Sequence, residues 1–232
     1  MNTKLKKLNN VILVYARLSS KRLPNKVLIK INSKTILSLV IERIKIISKY
    51  KIPIVVCSSN NKSDDKLINY CKRNHINFFR GSLNNVFQRT VECSHKYNFE
   101  SFVRVCADRP FFDVRLMDKM IKKFKEKKHD IVTNQFPRTY PKGLACEIAN
   151  INIFKNLDKS RILKLDKEHI FNFFYRNNKD YRIFNFSLKR SKTTKATKEI
   201  DWSLNNKKDL LKIRQIYTSY PINKYIDILK DN

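Results

Sequence analysis

The sequence predicts an α/β protein in three layers around a mostly parallel central sheet, and three observations carry that expectation. Short apolar runs rich in β-branched residues, at 11–16 and 52–57, are bounded by turn residues, as buried strands are. Between such runs lie segments whose apolar residues recur at helical spacing, beginning with Ile36, Val40, Ile44 and Ile47. The two kinds of segment alternate along the first part of the chain. That is the pattern of a parallel sheet covered by helices on both faces.

The remaining elements follow in order. Further strands are expected at 77–79, 101–106 and 130–133. The helices between them are marked by Leu67, Ile68 and Cys71, by Phe87, Val91, Ser94 and Tyr97, and by Leu116, Met120, Ile121 and Phe124. Right-handed crossovers then gather the strand C-termini on one edge, where ligands bind in such sheets. After residue 140 the rhythm changes. Strands are predicted at 144–148 and 181–188, an aromatic-rich helix at 167–175, and a closing helix at 206–217 opened by Asn206 with Asp209 three residues on. No repeat and no Gly/Ser-rich linker divides the chain. It is read as one domain over 1–232, with a nucleotide-binding part at about 8–135, an acceptor-side or dimer-forming part at about 136–200 and a closing segment at 201–232.

Composition bounds the function classes. A chain of 232 residues can bury a substantial core, and 42% hydrophobic with 11% aromatic content excludes a disordered chain. No apolar run approaches the roughly 20 residues that span a bilayer. Lys4, Lys6 and Lys7 ahead of the run 11–16 resemble the start of a signal peptide. The run stops at Arg17, however, short of a usual apolar core of about 7–15 residues, so a cytoplasmic protein is expected. The five cysteines, Cys57, Cys71, Cys93, Cys106 and Cys146, lack CxxC spacing and read as mostly buried free thiols. The four histidines are scattered, which gives zinc little support.

The net charge of +30 favours a polyanionic partner: nucleic acid, a membrane surface or nucleotide phosphates. The basic residues are mostly lysine and form no dense block. The chain is also rich in Asn and Ile and has only two glycines, a bias expected of A/T-rich coding. Both facts weigh against nucleic acid and leave much of the charge as solvated surface.

The most informative segment follows the first strand: Ala16-Arg17-Leu18-Ser19-Ser20-Lys21-Arg22-Leu23-Pro24-Asn25-Lys26. Guanidinium forks, a lysine point charge and hydroxyl donors are what a triphosphate requires. The segment is neither GxxxxGK[ST] nor GxGxxG, so it has no glycine-rich backbone cradle. By composition alone it is equally a basic surface loop.

A resemblance decides between the two. The segment matches, at seven of eleven positions, the A-R-x-x-S-x-R-L-P-x-K signature of the cytidylyltransferases that activate acidic sugars. The similarity is greatest to the spore coat polysaccharide biosynthesis protein F branch, with 3-deoxy-manno-octulosonate cytidylyltransferase as a related example. The resemblance implies a Rossmann-like nucleotide-diphospho-sugar transferase fold, with Ala16, Arg17, Ser20, Arg22 and Lys26 on CTP and with Arg17 and Lys26 catalytic. Asn25 stands where the family commonly has Gly, and Asn tolerates a left-handed backbone.

Four further segments match in family order. Arg104-Val-Cys-Ala-Asp108-Arg-Pro110 resembles R-x-T-x-D-x-P and implies Asp108 as a catalytic Mg²⁺ ligand, the bland alternative being a turn residue; Asp113 fits a helix cap better. Asp201-Trp202 resembles the D-T-P segment and implies Asp201 as a second Mg²⁺ carboxylate, or else a helix cap, although Trp202-Ser203 replaces Thr-Pro. Asn134 with 138–147 resembles N-x-x-R-T-Y-P-x-G-L-x-x-E and implies Arg138, Lys142 and Glu147 on the acceptor side. Glu168-His169 adds His169 there, with a packed structural histidine as the alternative. Arg80-Gly81-Ser82 through Arg89 resembles R-G-S-x-x-D-V-L-x-R and places Arg89 with the nucleotide. Asn85 replaces Asp as a helix cap, and Ser58 and Ser59 are set near the base.

The expected activity is transfer of CMP from CTP to a sugar, an acidic 2-keto sugar in the first instance, with Mg²⁺ and release of pyrophosphate, by a possible homodimer. Alternatives are a nucleotidyltransferase or glycosyltransferase using another nucleotide on the same scaffold, or a non-catalytic basic binding module.

Overall fold

A computed structural model describes residues 8–188 and 201–219. Lys4, Lys6 and Lys7, the stretch 189–200 of the expected acceptor part and the chain after Ser219 lie outside the described residues.

In chain order the strands and α-helices are β1 (Leu8–Tyr15), the hairpin β2 (Lys30–Ile31) and β3 (Lys34–Thr35), α1 (Ile36–Ile47), β4 (Ile54–Ser59), α2 (Asp65–Arg73), β5 (Phe78–Gly81), α3 (Val86–Tyr97), β6 (Phe99–Cys106), α4 (Val114–Phe124), β7 (Ile131–Thr133), β8 (Glu147–Asn150), α5 (Asn152–Lys155), α6 (Lys164–Glu168), α7 (Asn172–Arg176), β9 (Ile183–Asn185) and α8 (Lys207–Ser219). One seven-stranded sheet has the order β5-β4-β1-β6-β8-β7-β9. Its pairings are parallel except at β8, which runs against both β6 and β7.

The central strand explains the layering. Val11 through Val14 are fully buried, and their side chains alternate between faces. Ile12 and Val14 pack with Val40 and Ile44 of α1, Leu67 of α2 and Met117 and Met120 of α4. Val11, Leu13 and Tyr15 pack on the other face with Phe87 of α3, Phe154 of α5 and Phe173 and Phe174 of α7. The second face is aromatic: Phe154 lies 4.7 Å from Phe174, 5.0 Å from Phe87 and 5.3 Å from Phe102, centroid to centroid. A third, smaller cluster joins Leu23, Ile31, Phe111, Leu144, Trp202 and Leu204 above the carboxyl edge.

The later elements differ from expectation for local reasons. The predicted strand at 144–148 begins only at Glu147, because the Asn134 side chain occupies Leu144 O and Cys146 N, each at 2.9 Å. The predicted helix at 167–175 is instead two short helices broken at His169, whose backbone is non-helical (φ −102°, ψ 77°). The predicted strand at 181–188 shortens to Ile183–Asn185, and Arg182 before it is held by Asp130. The closing helix does open on the expected capping box: Asp209 N donates to Asn206 Oδ1 at 3.1 Å and Asn206 N to Asp209 Oδ2 at 3.0 Å.

Candidate active site

A cavity of about 580 Å³ opens at the carboxyl edge of the sheet. Arg17, Arg22, Lys26, Arg89, Arg104 and Arg109 line it against Asp108, Glu147 and Glu168, so six basic groups face three carboxylates. A low-dielectric wall of that sign concentrates anions.

The loop after β1 supplies three of those cations. Leu18, Leu23 and Val27 point inward, at 3%, 6% and 2% exposure, and anchor the loop between its basic residues. Asn25 adopts the left-handed backbone its type tolerates (φ 56°, ψ 17°), and its N–H closes the loop on Leu18 O at 3.1 Å. Each cation is held by residues far along the chain. Arg17 meets Glu168 at 3.1 Å, Arg22 donates to Asn205 Oδ1 at 3.0 Å, and Lys26 pairs with Asp108 and donates to Leu204 O at 3.1 Å. The Arg17–Glu168 pair is about half exposed and correspondingly weak, so phosphate can displace Glu168 at small cost. Ala16 still belongs to the ladder, donating to Cys57 O at 3.3 Å.

Three expected nucleotide contacts are placed elsewhere. Ser20 does not line the cavity; its Oγ accepts from Leu23 N at 3.4 Å and shapes the loop. Ser58 and Ser59 are fully buried and donate to Asp64 Oδ2. Asp64, absent from the sequence expectations, is the hub beneath the loop: it also accepts from Ser59 N at 3.2 Å and from Leu18 N at 2.7 Å. An Asp64→Asn variant turns one acceptor into a donor facing other donors. We expect it to cost about 2 kcal/mol in urea unfolding and to weaken CTP binding in parallel. A folded variant with wild-type stability and affinity would refute that role.

The carboxylate candidates lie on one side of the loop. Arg104, Cys106 and Asp108 occupy alternate positions along β6 and the turn after it, and all line the cavity, while Val103, Val105 and Ala107 enter the core. The segment from Asp201 passes beside them: Leu204 N donates to Asp108 O at 2.8 Å. Asp201 itself does not line the cavity. Its carboxylate accepts from Ser203 N at 2.8 Å and Asn205 Nδ2 at 3.2 Å, a local turn and not the expected helix cap, which Asn206 supplies. Among the described residues no cluster of three or more His, Cys, Asp or Glu closes around a point. A hard carboxylate such as Asp108 beside a basic loop nonetheless suits Mg²⁺, which takes most of its ligands from phosphate and water. Asp113 caps α4 through Leu116 N at 3.0 Å.

On the acceptor side the reversal of β8 brings its first residue, Glu147, to the carboxyl edge, in register with Arg104. Glu147 pairs with Arg104 and accepts from Tyr175 Oη at 2.7 Å. Burial, then the neighbouring Glu147 charge, push the Tyr175 phenol well above its ordinary range, so it is a donor here. His169 and Glu168 line the cavity mouth. Arg138 and Lys142 are exposed and outside the cavity; Lys142 bonds through its backbone to Trp202 N at 2.9 Å.

Arg89 enters from α3, capped by Asn85 through Gln88 N at 2.9 Å. It is 3% exposed, and its Nε and Nη1 are buried without partners. A Cβ at Gly81 would stand 2.7 Å from Arg89 Cγ, so that glycine keeps the space Arg89 fills. Arg89 is a residue the sequence nominates; Arg104, Tyr175 and Asn205 line the cavity without being nominated. Period-2 alternation back from Asp108 marks Arg104, but nothing local marks Tyr175 or Asn205. Of the cysteines, all but the half-buried Cys106 are buried free thiols, and burial pushes Cys71 up to about 12.

This sheet, with a phosphate-suited basic loop on its carboxyl edge, is that of a nucleotidyltransferase enzyme. A family model described as Cytidylyltransferase matches residues 11–223, and the chain belongs to that family. It is 30% identical over 172 residues to an uncharacterised protein of Methanocaldococcus jannaschii, covering 74% of this chain and 69% of that protein. To the spore coat polysaccharide biosynthesis protein SpsF of Bacillus subtilis it is 28% identical over 166 residues, covering 70% and 67%. A cytidylyltransferase structure from Leptospira borgpetersenii superposes at a TM-score of 0.84 with 26% identity, over 97% of this chain and 95% of that one. A CMP:2-keto-3-deoxy-manno-octonic acid synthetase complexed with CTP shares the fold at a TM-score of 0.69 and 14% identity, over 91% and 99%. The expected family and fold are thereby borne out. No helix among the described residues is long and apolar enough to cross a membrane.

Proposed function

We propose that this cytidylyltransferase moves CMP from CTP onto a hydroxyl of an acidic 2-keto sugar, releasing pyrophosphate, in the synthesis of a surface polysaccharide. The observation that carries the reading is a single cavity that gathers Arg17, Arg22 and Lys26 with Asp108, which is paired to Lys26, and with Glu147 and His169. The relationship to SpsF supports the polysaccharide context. The fold shared with an octonic acid synthetase supports an acidic acceptor.

In this reading the three loop cations bind the β- and γ-phosphates and stabilise the charge that develops on the leaving pyrophosphate. Arg89, which lines the cavity, adds positive charge on the nucleotide side. The acceptor oxygen forms its bond to the α-phosphorus as the bond to the β-phosphate oxygen breaks, and the hydroxyl proton is released. Asp108 would hold Mg²⁺, with Asp201 as second carboxylate only if it gives up its bonds to Ser203 and Asn205; the ion would neutralise phosphate charge and increase the acidity of the attacking hydroxyl. The protein's own contribution is positioning and charge. The reading places the enzyme in the cytoplasm, where CTP is available, with a homodimer as its assembly.

Pyrophosphate release with each of the four nucleoside triphosphates, against a panel of octulosonic, nonulosonic and neutral sugars, tests it. Release that requires both CTP and a sugar acid is expected. Release with a different triphosphate, or with neutral sugars alone, would overturn the nucleotide or the acceptor assignment respectively.

A further inference from the structure

We propose that Arg104 binds the acceptor's carboxylate, and that Glu147 and Tyr175 hold its guanidinium in place to do so; this rests on the sugar-acid reading above. The starting point is an imbalance in its hydrogen bonding. Arg104 lines the cavity with its side chain 17% exposed, and its Nη1 is bound to Glu147, but its Nε is buried without a partner. The accessible part of the fork lies open to the cavity, and a carboxylate there accepts from a cation that Glu147 meets through Nη1 alone.

The surroundings fix the guanidinium firmly. Glu147 stands directly across from Arg104 in the β6–β8 register. Its other oxygen accepts from Tyr175, whose Oη also bonds Thr133 Oγ1 at 2.8 Å. The Tyr175 ring is in turn stacked on Phe136, 4.8 Å away at 3°. The Tyr15 ring lies 5.7 Å from the Arg104 guanidinium carbon. With both carboxylate oxygens engaged, Glu147 acts on the acceptor through Arg104; it is a positioning residue.

The other cations near this half are differently placed. Arg109 donates to Ala145 O at 3.1 Å, Arg17 reaches Glu168 at the mouth, and Arg138 and Lys142 lie outside the cavity. Arg104 also shares its strand face with Asp108, so an acceptor gripped there is presented along β6 toward the phosphate end. A planar fork held by packing is the side chain suited to a planar carboxylate.

The test compares 3-deoxy-octulosonic acid with its carboxamide as acceptors in pyrophosphate release, and measures CTP affinity calorimetrically without acceptor. The wild-type enzyme is expected to prefer the acid on the order of 10- to 100-fold in kcat/KM. Arg104→Gln should erase that preference by raising KM for the acid, with CTP affinity unchanged, and Arg104→Lys should restore part of it. Tyr175→Phe should raise acceptor KM several-fold with kcat near wild type. Because Arg104→Gln leaves Glu147 buried without its cation, the double variant Arg104→Gln/Glu147→Gln keeps the comparison available in a protein without that unpaired charge. An acid preference that survives in these variants, or an equal loss of CTP affinity, overturns the receptor assignment alone. A wild-type enzyme that turns over neutral sugars but never the acid overturns the sugar-acid reading as well.

Discussion

Replacing Asp108 with alanine should lower the rate of pyrophosphate release by ~10³-fold or more while leaving thermal unfolding within a few degrees of wild type. The split between activity and stability follows from where the carboxylate sits. Its side chain is 23% exposed and paired with Lys26, whose ammonium keeps a second partner in Leu204 O at 3.1 Å. The structural bond at this position, Leu204 N to Asp108 O, belongs to the backbone and survives the substitution. The pair borders the open cavity, where solvent and Leu204 O can take over the Lys26 ammonium, so its loss costs less than that of an enclosed pair. In the proposed reaction the same carboxylate supplies charge where the triphosphate and attacking oxygen meet. Asp108→Asn sharpens the test, because it keeps shape and hydrogen bonding but removes the charge, and it too should be inactive. Near-normal turnover by either variant with Mg²⁺ and CTP would remove Asp108 from the mechanism.

What could be read from the sequence and what could not divide along a physical line. Periodicity reports burial, so β1, α1, α3, α4 and the alternating faces were legible, and the capping residues Asn85, Asp113 and Asn206 announced their helices by local side-chain chemistry. Strand direction leaves no such trace. That β8 is reversed between β6 and β7, which brings Glu147 to the edge and into register with Arg104, follows from tertiary packing alone. The 144–148 run is apolar enough for a strand, yet a buried side chain, Asn134, takes its first backbone groups. The partners of the basic loop were equally invisible, since Arg17 and Arg22 are held by Glu168 and Asn205, 151 and 183 residues away. A motif could nominate the basic side chains, but their spatial partners and the Asp64 hub beneath them required the fold.

The second large effect is expected at Gly143, one of the chain's two glycines. It holds φ at 88°, where a side chain is strained, and an added Cβ would lie 2.6 Å from Trp202 C and 2.8 Å from Ser203 N. Those are backbone atoms, so no rotamer change can relieve the contact. The segment carrying them must move, and it is the segment that closes the site. Trp202 N is bonded to Lys142 O at 2.9 Å, Trp202 packs on Phe111 at 5.5 Å, and Leu204 O anchors Lys26. Gly143→Ala should therefore cost about 3 kcal/mol or more in urea unfolding, from backbone strain together with lost packing around Trp202 and Leu204. Because the displaced residues include the Lys26 anchor, CTP binding should weaken in the fraction that stays folded. Gly143→Ala thus differs from Asp108→Ala in its signature, affecting stability first and activity through it. An unfolding midpoint unchanged from wild type would mean that the 201–205 segment can shift at no cost, and would overturn this role for Gly143.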